Sequence, residues 1–177
     1  MRTGQSGTKR NRESAVITIK PSKPADASEL LPRLRPEDLK ELTAVVEQKE
    51  RLEEALRNGI TMSKRCYTVR FRKDKKLICV FGVVDDPYID MNAGAVWMLG
   101  TPSLTKISIT FLKRCKEFIK ILEEGYEMTH NLVHCENKLH IKWLEWAGFT
   151  FIREKVKVGH KDEEFFEFYK VNEKYNV

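Results

Sequence analysis

The chain has 177 residues, 41% hydrophobic and 33% charged, with 32 Lys+Arg against 26 Asp+Glu and a net charge of +6. Nine Phe, five Tyr and three Trp exclude a disordered polymer and suit one domain that buries roughly 70% of its unfolded surface. The longest uncharged stretch, Met91 to Thr105, is interrupted by Gly, Asn, Pro, Ser and Thr and falls short of the ~20 apolar residues of a membrane-spanning helix, so no membrane span is expected.

Residues 1–14 carry Arg2, Lys9, Arg10 and Arg12 against Glu13, without apolar periodicity. They read as a disordered basic tail ahead of a single domain over residues 15–177. The tail lacks the apolar run of a secretory signal. Its charge suits either a solvated arm or contact with nucleic acid or an acidic partner. Cys66, Cys79, Cys115 and Cys135 are widely spaced with no CxxC pair, which predicts reduced thiols and excludes a zinc ribbon.

Val16 to Ile19 is a β-branched run and a first strand. Pro21 and Pro24 break it, and Asp26 caps a helical turn through Leu31. Pro36, Glu37 and Asp38 open a stronger helix, with proline and acids where its first turn favours them. Leu39, Leu42, Val45 and Val46 follow at helical spacing. The charged stretch Glu47 to Arg57 carries Leu52, Ala55 and Leu56 on one side, and Asn58-Gly59 is expected to end it. Residues 66–71 and 77–84 predict a hairpin whose second strand is apolar on both faces and therefore central. Ala93 to Leu99 is another buried strand. An amphipathic helix runs from Ser108 to about Glu124. A strand over 128–135, a short helix over 137–147 and a hairpin of 149–158 with 164–171 complete the chain.

The segment from Asn137 to Phe149 resembles the C-terminal motif of the GNAT acyl-CoA N-acyltransferases, roughly N-x-x-A-I-x-L-Y-E-x-x-G-F. Asn137, Ile141, Glu145, Gly148 and Phe149 match in register. The element order over residues 16–171 is similar as well. The resemblance implies an α/β (α+β) GNAT-like domain: a central, mixed, mostly antiparallel twisted sheet of six or seven strands flanked by four helices. Ala95, Val96, Trp97 and Leu99, with His140, Trp143 and Leu144, look like a bacteriophage branch that includes the small internal virion proteins of podophages.

The resemblance also implies a coenzyme A site at Leu99, Thr105, Lys106, Ser108, Thr110 and Asn137, with acetyl-CoA as cofactor. Family members cradle the pyrophosphate in a glycine-rich loop at a helix N-terminus, where bare peptide N–H groups face the anion. Here Ser108 and Thr110 stand for the glycines and Thr105 for the Gln/Arg. The tyrosine that many members use as general acid is Leu144. No acid lies on the strand Ala95 to Leu99, which leaves His130, His134 and Asp90 as base candidates beside readings as edge, surface or loop residues.

Further constellations have plainer explanations. His130, His134, Cys135 and His140 would ligate a metal only if a helix gathered them, because residues four apart on a strand lie roughly 13 Å apart. No metal is expected, and Cys135 beside His134 points the opposite way on a strand. Trp97, Trp143, Trp146 and Phe149 read as packing before they read as a base-stacking platform. Lys106, Lys113, Arg114, Lys116 and Lys120 read as a solvated face.

Two functions follow. The missing tyrosine and glycines favour a phage GNAT-fold pseudoenzyme, an internal virion or assembly protein with virion or host proteins as partners, located in the virion or host cytoplasm. The alternative is an active acetyl-CoA-dependent N-acetyltransferase acting on a protein or small-molecule amine. Splayed strands around an unplugged cleft would favour the second.

Overall fold

Strand β3 (Leu77–Asp86) is buried at every residue from Leu77 to Val83. A strand apolar on both faces requires cover on both sides, and the rest of the chain is arranged around it. The computed structural model describes residues 17–106 and 109–175, and of residues 109–114 the backbone alone. The basic tail read at residues 1–14 lies outside these bounds.

Seven strands form one sheet in the order β1 (Ile17–Pro21), β2 (Arg65–Phe71), β3, β4 (Ala93–Gly100), β5 (Met128–His134), β7 (Glu163–Val171) and β6 (Thr150–Val158). Neighbours are antiparallel except β4 and β5, which are parallel. One face packs on α1 (Asp26–Leu30) and α3 (Leu52–Met62), through Leu30, Leu56 and Ile60 against Val80, Trp97 and Leu99. The other packs on α4 (Ile109–Glu123) and α5 (Lys138–Trp146), through Cys115, Ile119 and Leu144 against Phe81, Val83 and Val96. Helix α2 (Pro36–Val45) reaches across to β5. None of these helices is long and apolar enough to cross a membrane. All four cysteines are unpaired.

The expected mixed, mostly antiparallel sheet is present, flanked by five helices among the described residues, in line with the about four expected. The stretch from Pro36 to Met62 breaks after Val45, giving α2 and α3. Asn58-Gly59 does not end α3, which continues to Met62 with Ser63 as its C-cap. An interior glycine costs about 1 kcal/mol. One further turn buries Ile60 in line with Leu52 and Leu56, and a buried isoleucine returns about 1.5–3 kcal/mol. Burial wins over the stop signal.

The β6–β7 hairpin turns through Gly159, whose φ is +72°. A Cβ at Gly159 would sit 1.7 Å from the Ala44 carbonyl oxygen. The hairpin tip therefore lies directly on the last turn of α2. Gly159→Ala is expected to cost about 3 kcal/mol, combining left-handed strain with overpacking. Gly148→Ala shares the positive φ, but its nearest atom would be Lys170 Cε at 3.8 Å, so only the strain of about 1–2 kcal/mol applies. Urea unfolding of the two variants measures the difference.

Candidate active site

β4 and β5 run parallel but pair over only three positions, Ala93 to Ala95 against Met128 to His130. Beyond them the strands part. Asn131 stands at the fork: its Nδ2 donates to the Val96 carbonyl at 2.8 Å, and its Oδ1 accepts the Leu132 N–H at 2.8 Å. A cavity of about 330 Å³ fills the split. It is lined by Phe118, Ile119, Trp143 and Leu144 from one face and by Leu42, Val45, Ala55 and Leu56 from the other, so it passes through the sheet.

Parting two strands leaves peptide groups without a ladder, and buried peptide groups require partners. Helix α2 supplies them. The Arg35 N–H donates to the Gly100 carbonyl at 2.9 Å, and the Gly100 N–H donates to Asp38 Oδ2 at 2.7 Å. One turn on, Glu41 Oε1 accepts the His134 N–H at 3.0 Å. Residues three apart share a helix face, so one helix caps both strands. Asp38 is wholly buried and neutralised by Arg35, whose Nε lies 3.0 Å from Oδ2 and whose guanidinium nitrogen lies 2.5 Å from Oδ1. Asn137, the N-cap of α5, donates from Nδ2 to Glu41 Oε1 at 2.9 Å.

His140 completes the cluster. Its Nε2 lies 3.0 Å from the Arg35 guanidinium. Its Nδ1 lies 3.1 Å from Asn137 Nδ2, so two donors face a ring that, when neutral, has one acceptor nitrogen. Burial, with Arg35 adding to it, lowers the imidazole to about 4 against the pull of Asp38. Burial pushes the Glu41 carboxyl up to about 7, although the Asn137 amide and the His134 N–H favour its charged form. Glu41 is the one carboxyl lining the cavity among the described residues, and both of its hydrogen bonds there fall on Oε1.

Asp38, Glu41 and His140 bring ligand atoms within 4.8 Å of one another. Arg35 already holds both Asp38 oxygens and His140 Nε2, so the guanidinium stands where a cation would have to bind. The arrangement does not fit a metal, and none enters the chemistry below.

The residues singled out in the sequence are dispersed. Leu99 lines the cavity with its side chain. Its peptide groups face β3, because Gly100 turns both of its own towards α2 and the pattern alternates along a strand. The same alternation puts the Met98 N–H and C=O on the open edge. Thr105 Oγ1 donates to the Pro102 carbonyl at 2.8 Å within a 3₁₀ turn, and Lys106 is exposed. Ser108 and the Thr110 side chain lie outside the described residues. Asn137 is 1% exposed and its amide is committed to the network.

His130 lies at the narrow end, opposite Ala95, with Nε2 3.0 Å from Asp86. His134 is buried, not a surface residue, because its ring is held in a polar network. His134 Nδ1 accepts the Glu136 N–H and its Nε2 meets Glu163, outside the cavity lining. Asp90 is an exposed loop residue. Trp97 and Trp143 belong to cores on opposite faces, and Trp146 is exposed beneath Lys116 Nζ, so they form no joint platform.

Sequence reasoning missed Arg35, Asp38 and Glu41. The signal was present: 38, 41 and 42 share the inward face of α2, and its first two members are acids.

No protein-family model and no curated protein matches the sequence. Solved structures do. Ribosomal-protein-S5-alanine acetyltransferase from Vibrio fischeri aligns over 91% of this chain and 96% of its own, with TM-score 0.61 and 13% identity. Spermidine N-acetyltransferase from Vibrio cholerae, solved with CoA and spermine, aligns over 92% and 99%, with TM-score 0.61 and 15% identity. A GCN5-related N-acetyltransferase from Brucella melitensis aligns over 90% and 77%, with TM-score 0.60 and 14% identity. The fold is that of the GNAT acetyltransferases. The cleft between β4 and β5 carries a carboxyl on α2, and Leu144 of α5 is buried at its wall.

Glu41 and His140 have opposite pH effects. Glu41 binds its proton more tightly folded than unfolded, so its contribution to stability falls as pH rises from its ordinary 4.5 to about 7. His140 binds its proton less tightly folded, so its contribution rises from about pH 4 to its ordinary 6.5. The slopes oppose each other where they overlap. Glu41→Gln should leave the His140 slope uncovered, with the variant gaining on wild type by about 1 kcal/mol per pH unit between pH 5 and 6.5. Denaturant unfolding across that range measures it.

Proposed function

We propose that the protein is an acetyl-CoA-dependent N-acetyltransferase with Glu41 as general base. The observation that carries this reading is a single carboxyl, raised to about 7 by burial, facing a cavity that passes between parted strands. A base is most effective when its pKa lies near the working pH.

The cavity fits the cofactor's arm. The edge-facing N–H and C=O of Met98 are placed to pair with an amide-bearing chain as a further strand would. When bound, acetyl-CoA supplies the acyl thioester. Glu41 accepts one proton from the acceptor ammonium and frees the nitrogen lone pair for the carbonyl carbon. Arg35 and Asp38 fix the helix that carries Glu41, and Asn137 fixes its carboxylate. The apolar walls exclude water. Leu144 has no proton to give, so the departing thiolate takes its proton from the acylated nitrogen or from solvent.

A second reading is a phage GNAT-fold pseudoenzyme, virion-associated and bound to virion or host proteins. Leu144 at the tyrosine position and the absence of glycine between Thr105 and Thr110 favour it.

Thermal unfolding with about 1 mM acetyl-CoA separates the readings: a Kd near 10 µM adds roughly 2.7 kcal/mol, a shift on the order of 5–10 °C. No shift favours the pseudoenzyme. Glu41→Gln is expected to bind acetyl-CoA normally and to lose about 10²–10⁴-fold in kcat. The rise in kcat/KM through pH 7 disappears with it.

A further inference from the structure

On the α2–α3 side the cavity is walled by Leu42, Val45, Ala55 and Leu56, with Leu132 and Val158 across from them. Val45 is 62% exposed and Leu132 36%, so the rim is apolar as well as the interior. Other polar lining groups are already engaged. Asn131 is held between Val96 and Leu132, and His140 by Arg35. Glu41 is the single anionic group facing an incoming molecule among the described lining residues.

We infer that the acceptor is a monoamine carried on an apolar body, with its one ammonium at Glu41 and its hydrocarbon against α2 and the α3 wall. This rests on the acetyltransferase reading and narrows its substrate class. One half-buried carboxyl compensates one ammonium. A second cation held within the cavity would lie against Leu42 or Leu56, where an unpaired charge is strongly disfavoured. A hydrocarbon body instead displaces water from apolar walls. Each group the ligand brings therefore meets its complement only if it has one charge and a greasy remainder.

The test uses the full chain with acetyl-CoA and follows thiol release with 2-phenylethylamine and with spermidine. The expected result is a kcat/KM for 2-phenylethylamine about tenfold or more above that for spermidine. Val45→Asp places a second carboxylate at the exposed rim and is expected to reverse the order. Equal use of the two amines, preference for spermidine, no turnover of 2-phenylethylamine while acetyl-CoA binds, or a preference unmoved by Val45→Asp would overturn the inference. The acetyltransferase reading fails separately, by absence of an acetyl-CoA thermal shift. In that event a thermal shift with 2-phenylethylamine alone, and none with spermidine, still supports the pocket assignment, and its absence overturns that too.

Discussion

Two peptide N–H groups, those of Gly100 and His134, would be orphaned where β4 and β5 part, and the carboxylates of Asp38 and Glu41 receive them. The domain can hold its central sheet open because of this substitution. A split sheet gains a cavity and loses a ladder. Each buried donor left unpaired would cost about 1–3 kcal/mol, and helix α2 offsets that cost at both lips. Arg35 is a necessary third party, since removing one partner from a buried ion pair typically costs 3–5 kcal/mol.

The two carboxylates serve the same structural end and differ chemically. Asp38 has an arginine on both oxygens and is shut off from solvent. Glu41 has an amide and a peptide N–H, both on Oε1, and a face on the cavity. Three residues of separation along one helix therefore divide a fixed charge from an adjustable one. His140 belongs to the fixed side: burial, with the Arg35 guanidinium adding to it, favours the neutral ring, which contributes shape and one acceptor.

The sheet was readable wherever burial alone determines it. The two-faced apolarity of Leu77 to Val83 marks a central strand. The three- and four-residue spacing of Cys115, Ile119 and Leu122 marks α4, and the run from Asn137 to Phe149 marks the fold. Asn58-Gly59 misled because a local stop signal competes with Ile60, whose burial depends on a face that only the folded sheet provides. The site was less readable for a physical reason. Acids opening a helix read first as partners of its dipole, and only the split between β4 and β5 gives Asp38 and Glu41 another role. A pairing defect between distant strands leaves no mark in either strand's own sequence.

The backbone contact between Gly159 and Ala44 bears on how the cleft is entered. The tip of a long hairpin is an obvious flap, but here it rests on the end of the helix that carries Glu41. Hairpin tip and helix end meet at the mouth, so on that side the opening is bounded by backbone, and its width there is set by main-chain packing and not by the rotamer of a side chain.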